Sequence, residues 1–121
     1  MTQTEAKLEA RRERYLRDPL PVRLGNLASN LARVRSLANH ATMGEAAGKV
    51  FDESRLFIEW TATDASPAQQ VELSELRDLI SRWRMELTEI WNDSEKRNEV
   101  AALAGAWSQK ILESSGLLNS R

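Results

Sequence analysis

Apolar residues recur in steps of three and four along most of this chain, and the longest run of that rhythm lies between Ser66 and Asn92. There Leu73, Leu76, Ile80, Trp83, Leu87 and Ile90 line one side of a helix, broadened by Leu79 and Trp91. The start is specified locally. Ser66 is placed to cap, Pro67 suits a first helical position where no amide donor is needed, and Gln69 stands where a capping box requires it. The spacing predicts one continuous helix whose apolar seam must be buried against others.

The rest of the chain supplies them. Thr2 to Arg17 reads as a charged helix with Thr2 and Glu5 spaced as a capping box, and its apolar side holds only Leu8, Tyr15 and Leu16. Glu9 and Glu13 lie at helical pairing distance from Arg12, Arg14 and Arg17. Pro19 and Pro21 then break the chain. A second helix begins at Pro21 and carries Leu24, Leu27, Leu31, Val34 and Ala38; it is expected to end near Asn39 to Thr42, with Gly44 closing the turn. The third, from about Glu45 to Thr61, turns Ala47, Val50, Ser54, Phe57, Ile58 and Thr61 to one side, with Leu56 and Trp60 opposite. The last, from about Glu95 to Ser114, is expected to bury Val100, Leu103, Ala104, Trp107 and Ile111, with Gly116 as its C-terminal cap.

Short connectors between long amphipathic helices favour antiparallel neighbours. The expected fold is therefore all-α: an up-down-up-down four-helix bundle over residues 21–121, with an additional charged N-terminal helix over residues 1–20. That first helix is too poor in apolar side chains to hold itself in place and is expected to be ordered only against a partner.

Composition narrows the class more than the function. The 121 residues are 41% hydrophobic and 29% charged, which fits one ordinary globular domain. There are no cysteines, which excludes disulfides and thiolate chemistry. No apolar run reaches the ~20 residues of a membrane span, and the N-terminus has no signal-peptide block, so no membrane association and a cytoplasmic location are expected. The net charge of −1 is unevenly spread: residues 1–35 hold eight basic against four acidic side chains, and residues 36–121 nine against fourteen. Either the basic front docks on the acidic body, its own or a neighbour's, or the Arg11 to Arg17 stretch with Arg23 contacts nucleic acid.

Three patterns raise chemistry. His40 is the single histidine, and Leu37 stands where a ferritin-like Glu-x-x-His pair would need its glutamate, so no metal or other cofactor is expected. Arg35-x4-His40, with polar Ser36 after the arginine, resembles the motif of HEPN-domain ribonucleases, small helical bundles that act on RNA at a dimer interface. The resemblance covers six residues and implies that His40 moves the 2′-hydroxyl proton while Arg35 stabilises the phosphorane charge. The simpler reading pairs Arg35 with a carboxylate and leaves His40 at a helix end, where positive charge is favourable. Glu72-x-x-Glu75 and Glu86-x-x-Glu89 look like the paired acidic motifs of all-helical nucleotide pyrophosphohydrolases, which hold magnesium; lying about 21 Å apart on one helix, they cannot converge within a chain and read as a solvated face.

The reading that best fits the whole sequence is a non-enzymatic helical interaction or structural protein, with HEPN-like RNA cleavage or nucleic-acid binding as the alternative. Leu56 and Trp60, one turn apart and off the main stripe, are the expected interface. Either Leu8 and Leu16 of the N-terminal helix cover them or a second copy does, and a homodimer is the favoured expectation.

Overall fold

The computed structural model describes residues 2–117. Among the described residues the secondary structure is entirely helical: α1 Gln3–Arg17, α2 Leu20–Leu37, a 3₁₀ turn Ala41–Met43, α3 Gly44–Ala62, α4 Pro67–Met85, α5 Leu87–Trp91 and α6 Ser94–Ser115. None of these helices is long and apolar enough to cross a membrane.

The ends follow the local chemistry. Thr2 and Glu5 close a capping box on α1, and Ser66 and Gln69 close another on α4 behind Pro67. Asp93 caps α6 by accepting from the amides of Glu95 and Lys96. Gly116 ends α6 at φ 83°, a left-handed conformation that glycine adopts without a side-chain clash.

The principal departure from the expected elements is the long helix. It stops at Met85, passes through Glu86 at φ −96° and ψ 13°, and resumes as α5. The break turns Trp91 onto the start of α3. There its indole packs over Gly44, its Nε1 donates to the His40 carbonyl at 3.1 Å, and its ring meets Phe51 edge-on. Gly44 thus closes the 3₁₀ turn as its C-terminal cap and is at the same time the first residue of α3. Gly48, one turn on, leaves room for Leu87, which would stand 2.9 Å from any Cβ built there. Two glycines on one side of α3 are what let α5 approach so closely.

The core is made by Leu24, Leu27, Leu31 and Val34 of α2, Ala47, Val50, Phe51 and Ile58 of α3, Leu73, Leu76, Ile80 and Trp83 of α4, Ile90 and Trp91 of α5, and Val100, Ala104 and Ile111 of α6. Helix α2 packs most extensively on α6 and then on α3, α3 packs on α4, and α4 touches α6 only lightly. Here the expected core is corrected: Leu103 is 45% exposed, and Phe57, Leu87 and Trp107 are only partly buried. The face that α6 presents to α2 is a small-residue one. Ser108 donates to the Ala28 carbonyl at 2.7 Å, and the Arg35 side chain lies across Gly105. Close backbone approach on that side leaves the larger Leu103 facing the thin contact with α4.

Candidate functional site

Helix α3 is the element on which the surface features converge. One flank carries α1. Tyr15 is buried there, its ring stacked on Phe57 at 4.3 Å and tilted against Trp60 at 5.7 Å. Its hydroxyl donates to the Arg23 carbonyl at 3.1 Å. It also lies 2.7 Å from Thr61 Oγ1, and since a carbonyl can only accept, Thr61 is the donor in that second bond. Arg23, itself buried, donates to the Asp18 carbonyl and pairs with Asp64 at 3.0 Å. Arg11 adds an ion pair with Glu53 at 3.1 Å. The basic front therefore meets the acidic body of its own chain, and through Tyr15 the end of α1, the start of α2 and the end of α3 form one hydrogen-bonded knot.

Burial pushes the Tyr15 hydroxyl up from its ordinary value of 10 to about 12, against the opposing pull of the Thr61 hydrogen bond and the Arg23 charge, while Asp18 adds to the rise. With the folded value above the unfolded one, this contribution to stability is complete below pH 10 and is lost as the pH climbs toward 12. Between those limits the folding constant should fall about tenfold per pH unit more steeply in wild type than in Tyr15→Phe. Denaturant titrations at stepped alkaline pH check this; parallel curves for the two proteins would contradict it.

The other flank of α3 faces α4 across an open groove of about 690 Å³. Leu56, Ile58, Ala62 and Leu73 give it an apolar floor, and Asp52, Arg55, Glu59, Gln70, Ser74 and Arg77 form its rim. The two helices run in opposite directions here: Arg84 pairs with Asp52 at 3.0 Å, and Gln70 donates to the Ala62 carbonyl.

The two expected interface residues are thus separated. Trp60 is 7% exposed beneath α1, whereas Leu56 is partly exposed and lines the groove. The covering side chain is Tyr15; Leu8 remains 40% exposed. Sequence reasoning did not single out the groove's charged rim. The one available signal was the Arg55 and Glu59 spacing on either side of Leu56.

Arg35 and His40 are both exposed. Arg35 lines a groove with Asn39, Ala101 and Gly105, and His40 sits beyond the end of α2, where its carbonyl accepts from Trp91 and Met43 and its amide donates to the Leu37 carbonyl. No hydrogen bond or ion pair joins the two among the described residues. The break at Glu86 puts the Glu72/Glu75 and Glu86/Glu89 pairs on separate segments, and no three carboxylate or histidine side chains gather as metal ligands would among the described residues. No model of a known protein family matches the chain, and neither a curated protein nor a solved structure does.

Proposed function

We propose that this protein is a non-enzymatic helical interaction protein that self-associates, and that its working surface is the groove between α3 and α4. The observation that carries the reading is the combination in that groove of an apolar floor, with Leu56 partly exposed, and a rim of both charge signs. Apolar centres ringed by polar groups are how protein interfaces are built. On this reading α2, α3, α4 and α6 form an up-down-up-down bundle, supported by the contacts of the start of α4 with the end of α6 through Gln69 and Ser114, and of the end of α3 with the start of α2 through Asp64 and Arg23. Residues 1–20 then act as a strap on that bundle, and the protein works in the cytoplasm.

Sedimentation checks this directly. Wild type is expected to associate at about 100 μM, above the micromolar range of a specific interface, and Leu56→Glu to remain monomeric with unchanged helicity. Trp60 is the wrong probe, because truncating it would disturb the seat of α1. The alternative, HEPN-like RNA cleavage, makes a different demand: a cleavage activity abolished by Arg35→Ala or His40→Ala. Such an activity, with self-association untouched by Leu56→Glu, would replace the interaction reading.

A further inference from the structure

We infer that the groove is closed by the same groove of a second copy, with a two-fold axis running along it so that α3 of each copy lies on α4 of the other. This rests on the interaction reading above and adds the occupant and the register.

Charge complementarity across the groove points to a second copy as its occupant. Arg55 and Glu59 stand one turn apart on the α3 rim and form no ion pair with each other or with another described residue. On the α4 rim Arg77 meets only its neighbours, Asp78 at 3.5 Å and Ser74 at 3.4 Å. Three rim charges, Arg55, Glu59 and Arg77, are therefore left with weak or no partners around an apolar floor, with the exposed Asp78 beside Arg77 just outside the rim. A two-fold axis parallel to the helices keeps each residue at its own height and exchanges left for right. The cross-contacts between α3 and α4 fix those heights: Asp52 lies level with Arg84, and Ala62 with Gln70. Interpolation sets Glu59 level with about Ser74, roughly 4 Å along the axis from Arg77, and Arg55 level with about Ile80, roughly 3 Å from Asp78, offsets that the long arginine side chains can span. The rotation then brings Glu59 within side-chain reach of Arg77 of the other copy and Arg55 within reach of its Asp78. Symmetry repeats both pairs.

The surface is large enough for this role. Helices of 19 residues each are about 28 Å long, and a pair of them about 20 Å wide presents roughly 550 Å² per copy. The total of about 1,100 Å² sits at the lower end of specific interfaces, the range of weak and transient association. The charges choose the register, and Leu56 supplies the apolar centre.

A charge exchange tests it. Glu59→Arg and Arg77→Glu each place like charges together twice per dimer, so each alone should weaken self-association about tenfold or more. Mixed with one another, they restore opposite charges at both positions, and the mixture should recover association close to that of wild type. Sedimentation velocity of the two variants singly and mixed, with helicity checked by circular dichroism, reads all of this. A wild type that associates while neither reversal has any effect would overturn the register and leave self-association standing. A mixture that stays monomeric would overturn the register as well. A wild type that is monomeric at about 100 μM would remove both it and self-association, leaving the groove to a different chain.

Discussion

Phe51→Ala should lower stability by about 3–5 kcal/mol, the range for truncating a fully buried aromatic side chain, and the midpoint of thermal unfolding should fall by more than about 10 °C. Phe51 is 0% exposed, and it is where three helices meet. Its ring lies 5.7 Å from that of Trp83 in α4 and 6.2 Å from that of Trp91 in α5. Removing it opens a cavity that the Trp91 indole cannot fill by a simple rotation, since Trp91 is pinned by its bond to the His40 carbonyl and by the Arg97 guanidinium, which donates to the Trp91 carbonyl at 2.6 Å. The deleted atoms thus cost both their transfer energy and a cavity term. Chemical denaturation read by tryptophan emission is the measurement. A loss below about 1 kcal/mol would mean that α5 collapses freely into the gap and that the break at Glu86 is not holding it in place.

That break shows where the sequence was informative and where it was not. Caps are local, and Thr2 with Glu5, Ser66 with Gln69, and Gly116 could be read from a few neighbouring residues because the bonds they make span three or four positions. The apolar rhythm placed Leu24, Leu27, Leu31, Leu73, Leu76 and Ile80 in the core for the same reason. Glu86 carries no such mark. It is neither Gly nor Pro, and the three-four rhythm continues across it to Ile90. What ends α4 there is tertiary: Trp91 docks on Gly44, and Leu87 on Gly48, more than 38 positions away in the chain. The α6 face was legible in part: Val100, Ala104 and Ile111 are buried as the periodicity expects, whereas Leu103 is exposed and Trp107 only partly buried. Periodicity counts apolar side chains, so Leu103 was included and Ser108 passed over, yet close packing on α2 selects the small ones. The groove was half legible. Leu56 was visible as an off-stripe apolar residue, but which helix would lie beside it, and hence that Arg77 would share its rim, depends on how the helices are arranged around α3. Trp60 looked exposed only because its cover, Tyr15, sits in the segment poorest in apolar residues.

Tyr15→Ala gives the second large effect, and a different kind of one. The substitution removes the ring stacked on Phe57 and the contact with Trp60, leaves the fully buried Thr61 hydroxyl without this partner, and frees the Arg23 carbonyl. Truncating such a ring costs about 3–5 kcal/mol, but α1 has few other holds: the Arg11–Glu53 pair is part-exposed and contributes about 0–1 kcal/mol. Most of the stability lost is therefore that of α1 on the body, so α1 should detach before the body unfolds. Trp60 would then meet water. Tryptophan emission should shift to the red under native conditions, and protease should cut near Asp18 and Pro19 while the fragment from α2 onward stays intact. Tyr15→Phe keeps the stack and loses only the hydroxyl bonds, at about 1–3 kcal/mol, and its emission should match wild type. If Tyr15→Ala instead unfolds in one step with unshifted native emission, α1 is an integral part of the body and not a strap held by one aromatic anchor.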